Sequence, residues 1–133
     1  MSPSEILQPE GWPRPSGYSN GVLAQGRQVY IAGQVGWNPR SGRFESAGLV
    51  EQVAQALKNV LAVLAQAGGR PEHLARMTWY FTSRAEYLAH LEPIGAAYRE
   101  IVGKHFPAMT ALEVSALIEP QAKVEIEATA VIP

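Results

Sequence analysis

Glu125 and Glu127 are one residue apart in Lys123-Val124-Glu125-Ile126-Glu127-Ala128, where charged and apolar residues alternate. On a strand both carboxylates project from one face. A carboxylate so placed can position and deprotonate a water, and two side by side can share a proton. A solvated strand face is the structural alternative. Cysteine is absent, so no thiolate nucleophile, thiolate metal site or disulfide framework is available. His73, His90 and His105 lack the spacing of a ligand set, and neither a metal nor a cofactor is expected. Gly33-Gln34-Val35-Gly36 and Gly68-Gly69 do not have phosphate-loop spacing and are turn chemistry. Trp12, Trp37 and Trp79 are large enough to stack on a ligand, although core or interface burial is the favoured account.

The elements that position these residues follow from periodicity. The first twenty residues, with Pro9, Pro13, Pro15 and Gly17, make an irregular arm, because proline fixes φ and removes donors. Val22 to Gln34 form two short strands around Gly26-Arg27, and Phe44 closes a third strand after the loop from Gly36 to Gly42. From Ala47 to Ala67, Leu49, Val53, Leu57, Val60, Leu61 and Leu64 recur at helical spacing, with Glu51, Gln52, Lys58 and Asn59 opposite. Gly68-Gly69 caps this helix and Pro71 prevents its continuation. Met77, Trp79 and Phe81 then alternate with Thr78, Tyr80 and Thr82 as a strand.

A second helix opens with the capping box of Ser83 and Glu86 and stops at Gly103. Pro93 lies inside it. An interior proline removes the bond to the carbonyl of Ala89 at about 3 kcal/mol, which predicts a kink or two stacked helical pieces. Thr110 to Ile118 and Lys123 to Ile132 complete the strands. The order predicts an α+β two-layer fold, a mixed sheet of about six strands with two helices on one face, in a single domain over residues 1–133. Tyr30, Leu112 or Ala111, and Val131 make the opposite face too apolar for water, so it is expected to meet other subunits.

Three stretches together resemble the YjgF/RidA family, known in older naming as endoribonuclease L-PSP. They are Gly17-Tyr18-Ser19-Asn20 with Val29-Tyr30-Ile31-Ala32-Gly33-Gln34, Phe106-Pro107-Ala108 with Leu112-Glu113-Val114, and Lys123 to Ala128. The resemblance implies a chorismate-mutase-like fold, a homotrimer with sites in intersubunit clefts, and hydrolysis of enamines and imines such as 2-aminoacrylate to 2-keto acids and ammonia. It makes Glu125 the catalytic residue that places the water. It makes Tyr18, Ala32, Gly33, Gly95, Met109, Thr110 and Ala111 ligand-binding, the last two through their main chains. Three of these positions depart from the family pattern. Met109 stands where the family's carboxylate-binding arginine is expected, Ala32 where it has serine, and Gly95 where it often has asparagine. A thioether cannot make the forked, charge-assisted bonds that fix a carboxylate. Arg14, Arg40, Arg43 or Arg84 from a neighbour is a candidate replacement, with ordinary solubility as the alternative.

Composition bounds the function further. With 133 residues, 47% hydrophobic and 17% charged, the chain suits one core. A net charge of −1 gives no footprint for nucleic acid or anionic lipid, so neither is expected as a partner. No apolar run reaches the roughly 20 residues of a membrane span, and the start Met1-Ser2-Pro3-Ser4-Glu5 lacks the pattern of a signal peptide. A cytoplasmic protein that binds a small molecule is the expectation, with an imine hydrolase as the alternative and a ribonuclease last.

Overall fold

The computed structural model describes residues 4–133. Residues 1–3 of the expected amino-terminal arm lie outside the described residues. Among the described residues six strands are present, divided between two sheets. Strands β1 (Ser4–Leu7) and β2 (Gly21–Ala24) pair antiparallel as a separate two-stranded sheet. Thus the irregular arm begins only after Leu7, where Pro9 is the first proline of the described residues. The main sheet has the order β3-β6-β4-β5, made of β3 (Arg27–Val35), β6 (Val124–Ile132), β4 (Leu74–Phe81) and β5 (Ala108–Glu113).

The two strands flanking Gly26-Arg27 therefore part into different sheets instead of pairing with each other. Phe44 is not in a strand. Its segment makes one isolated bridge, Asn38 with Arg43, and its ring packs against Trp37 at 6.0 Å. The last strand, β6, runs antiparallel to both neighbours in the middle of the sheet, whereas β5 pairs parallel with β4 at the edge. Alternation along β6 is complete: Val124, Ile126, Ala128, Ala130 and Ile132 are buried, and Glu125, Glu127, Thr129 and Val131 between them are half-buried.

Helix α1 (Leu49–Ala65) covers the buried face through Val53, Ala56, Leu57, Val60 and Leu64. Each fully buried branched side chain of this kind stabilises by about 1.5–3 kcal/mol. The amide of Gly69 bonds the carbonyl of Leu64, closing the helix with Gly68 at φ 78°. Two polar residues of α1 depart from the expected outward placement: Gln52 is 1% and Asn59 4% exposed. The Gln52 amide donates to the carbonyls of Ser46 and Gln121 and accepts from Lys123 N. Asn59 donates to the carbonyls of Val35 and Trp37. Burial is tolerated because every one of these groups is paired, and the pairs anchor the end of β3 and the entry to β6.

The second helical region is two pieces, α2 (Arg84–Ala89) and α3 (Leu91–Ile101), with the Ser83 hydroxyl capping α2 by accepting from Glu86 N. The break falls at His90, ahead of the proline, so Pro93 occupies the first turn of α3. There its missing N–H has no intrahelical acceptor to lose, and the expected bond to Ala89 is not sacrificed.

Candidate functional site

The residues singled out above fall into two groups on opposite faces of the main sheet. On the helix-covered face, a cavity of about 500 Å³ lies between α2, α3 and β5. Met109 and Gly95 line it together with Trp79, Tyr98, Arg99 and Phe106. Met109 projects into it because β5 continues the alternation of the sheet, and it packs against the core cluster. Tyr98 and Phe106 stack at 5.6 Å, and the Tyr98 hydroxyl donates to the carbonyl of His105 at 2.5 Å. Burial pushes the Tyr98 phenol well above its ordinary pKa.

Ser16 and Gly17 complete the rim of the cavity. Their loop is tied to β5 by Ser19, whose N–H bonds the carbonyl of Pro107 at 3.0 Å and whose hydroxyl bonds that of Phe106 at 2.5 Å. Tyr18, exposed, sits between the rim and this tether. Ser19 also bridges Ala108 in parallel, covering the start of the outer edge of β5. Thr110 and Ala111 follow on the exposed part of that edge strand, and Ala111 lines a smaller hollow with Arg84 and Tyr87.

On the uncovered face, Glu125 of β6 lies against Gly33 of β3 at an irregularity in their register between Ile31 and Gln34. Among the described residues no donor binds the Glu125 carboxylate and no cation pairs with it. Glu127 differs, because it accepts from the Tyr80 hydroxyl, and that hydrogen bond raises the Tyr80 pKa above its ordinary value. The two glutamates thus have unlike surroundings despite sharing a face. Ala32 is exposed beside Gly33.

Each histidine is held by the backbone: His73 Nδ1 by Arg70 N, His90 Nδ1 by the carbonyl of Glu86, and His105 Nε2 by that of Leu74. Among the described residues no three His, Asp or Glu side chains converge to hold a metal. A second hollow of about 670 Å³ under residues 115–123 contains none of the expected site residues. The cation at the α3/β5 cavity is Arg99, which sequence reasoning passed over; none of Arg14, Arg40, Arg43 and Arg84 lines it. Its position one helical turn after Gly95 was the available signal, and it went unused.

A two-layer chain with a helix-side cavity and an uncovered sheet face carrying a carboxylate defines a class of small α+β proteins. Residues 13–132 match the family model of Endoribonuclease L-PSP, and the chain belongs to that family, YjgF/RidA. It is 33% identical over 114 residues to the human 2-iminobutanoate/2-iminopropanoate deaminase, covering 86% of this chain and 79% of that protein. Among solved structures, the Rid family protein YyfB of Yersinia pestis, of unknown function, superposes with a TM-score of 0.86 at 33% identity, covering 98% of this chain and 100% of that one. The YjgF gene product of E. coli superposes with a TM-score of 0.70 at 28% identity, over 97% and 99% of the two chains. These matches establish the α+β, chorismate-mutase-like fold. Among the described residues no helix is long and apolar enough to cross a membrane.

Proposed function

We propose that this protein is a small-molecule-binding homotrimer from an arginine-lacking branch of the family, with ligand sites in clefts between subunits, acting in the cytoplasm. The observation that carries the proposal is Met109 in the wall of the α3/β5 cavity. At that position the archetypal deaminase chemistry needs a guanidinium for the substrate carboxylate, and a thioether supplies neither charge nor forked donors. Ala32 and Gly95 remove two more polar groups from the same set. Tyr18, the backbone beside Gly33 and the main chain of Thr110 and Ala111 complete the proposed contacts.

Assembly is supported by the uncovered sheet face, where Tyr30 is 74% and Leu112 40% exposed. It is supported also by the outer edge of β5, which among the described residues pairs with no strand beyond the bridge at Ala108. Sedimentation should give three times the 14.4 kDa protomer mass.

A second reading is hydrolysis of an imine or enamine with an altered substrate, releasing ammonia. It is favoured by the unpaired carboxylate of Glu125, which would hold and deprotonate the water, and by the name of the human relative. A ribonuclease ranks last, because net charge is −1 and the uncovered face carries Glu125 and Glu127, which repel a phosphate backbone.

The deciding experiment feeds 2-aminoacrylate to the wild type, Met109→Arg and Glu125→Ala and measures ammonia and keto acid. The binding reading expects no turnover above the uncatalysed rate in the wild type. Wild-type turnover that disappears in Glu125→Ala replaces it with the hydrolase reading.

A further inference from the structure

We propose that Met109 is a site of reversible oxidation: a peroxide converts its thioether to the sulfoxide, and the new oxygen takes the hydrogen bond of the Trp79 indole inside the α3/β5 cavity. The consequence for guests rests on the reading that this cavity binds a small molecule, whereas the oxidation itself does not.

Sulfur is scarce in the chain, which has no cysteine and three methionines. No thiol therefore competes for an oxidant. Met77 is 0% exposed within the core cluster, and Met1 lies outside the described residues. Met109 is half-buried in the wall of a cavity of about 500 Å³. An opening that admits a small-molecule guest admits hydrogen peroxide, which is smaller. Among the described residues Met109 is thus the sulfur within reach.

A second observation, independent of the first, says what the product meets. Trp79 belongs to the same cavity wall and is 2% exposed, and its indole N–H has no hydrogen-bond partner among the described residues. A buried donor left in this way is costly. The parallel register sets Met77 beside Met109 and Trp79 beside Ala111, so Trp79 lies one diagonal step from Met109 on the helix-covered face. Other polar groups of the wall do not serve the indole. Tyr98 gives its hydroxyl to the carbonyl of His105, and Ser16 and Tyr87 line the cavity without bonding Trp79. A thioether is a weak acceptor, whereas a sulfoxide oxygen is a polar one. Oxidation therefore creates an acceptor beside the donor that lacks one.

The step balances in itself. A sulfur lone pair attacks one oxygen of the peroxide, the O–O bond breaks as the S–O bond forms, and the departing hydroxide takes the remaining peroxide proton and leaves as water. Sulfur loses two electrons and the peroxide gains them. A methionine sulfoxide reductase, drawing on thiols, returns the thioether. In the oxidised state a dipole stands where a soft apolar side chain stood, so apolar guests are disfavoured and the oxidant controls occupancy.

The test treats the assembled protein with hydrogen peroxide, follows the peptides of Met77 and Met109 by mass spectrometry, and records the Trp79 indole N–H by NMR. Met109 should gain oxygen roughly tenfold or more faster than Met77. The indole signal should move and its N–H should exchange more slowly, and the reductase with dithiothreitol should reverse both changes. In Met109→Leu peroxide should leave the indole signal in place, and Met109→Gln, with a permanent carbonyl, should reproduce its displacement without oxidant. Oxidation of Met109 no faster than that of Met77 would overturn the site, and an unmoved indole signal after oxidation would overturn the part given to Trp79. Toluene and benzamide, titrated by NMR, should bind the oxidised form several-fold more weakly than the reduced one, toluene most of all. Equal binding to both forms would overturn the control of occupancy. No shift at the cavity with either probe would overturn the small-molecule reading and leave the oxidation result standing.

Discussion

The carboxyl group of Glu125 rests on the backbone of Gly33: a Cβ on residue 33 would lie 2.8 Å from Cδ and 2.9 Å from Cγ of the glutamate. Glycine here holds a functional group in place by having no side chain. Gly33→Ala should displace Glu125 and, because the obstructing atoms belong to the end of a flexible side chain, destabilise the protein by only about 1 kcal/mol or less. Urea unfolding of the two single variants and the double variant checks this. In the Glu125→Ala background the obstructing atoms beyond Cβ are gone, so the glycine substitution should cost less there. An equal cost in both backgrounds would show that some other neighbour resists the added methyl group.

Gln52 fastens α1 to the residues entering β6 through the carbonyls of Ser46 and Gln121 and the amide of Lys123. Gln52→Met keeps the volume and strands these groups, which should cost about 1–3 kcal/mol. Hydrogen exchange at Lys123 N should speed up by more than at the centre of β6. Unchanged protection would mean that water replaces the amide at no cost.

Pro93 should matter little. Because it sits in the first turn of α3, Pro93→Ala is expected to change stability by less than about 1 kcal/mol in either direction. Thermal unfolding would contradict this placement if the substitution gave the several-degree gain expected from repairing a broken helix interior.

Alkaline pH should destabilise the fold through Tyr98. Its folded-state pKa is raised from 10.0, chiefly by burial, so the neutral phenol is favoured in the native state. The corresponding stability is fully present below pH 10, the unfolded value, and is lost as pH rises from there toward the folded value. Urea midpoints measured across that range should fall for the wild type and fall less steeply for Tyr98→Phe.

The proposed assembly should depend on the uncovered face. Tyr30→Asp and Leu112→Asp each place a charge where an apolar side chain now faces outward and should shift the sedimenting species toward the protomer mass. Trimers that persist in both variants at micromolar concentration would move the interface elsewhere.

Much of the scaffold was legible because it follows local periodicity: α1, β4 and β6 repeat at helical or alternating spacing, and the Ser83 cap on Glu86 N is contained in four residues, although the Glu86 side chain pairs with Lys123 and does not complete the expected capping box. What failed was non-local. The first strand is four residues long and identifiable only by its partner β2. Gln52 and Asn59 look like surface residues until the carbonyls of distant loops are brought to them. Met109 and Gly95 were singled out through family likeness, and both line one cavity. Arg99 was missed because an exposed arginine late in a helix is ordinarily solvated. A Cβ at Gly95 would lie 3.2 Å from its Nη1, a proximity that only the folded helix reveals.

Met109 and Glu125 point away from each other through the thickness of one sheet, so a molecule of a few carbon atoms cannot touch both within a single chain. Any reaction that needs the two together is a property of pairs of chains and should fade on dilution. Mixing a variant disabled at one position with a variant disabled at the other should then regenerate a fraction of intact centres, as two broken halves make one whole.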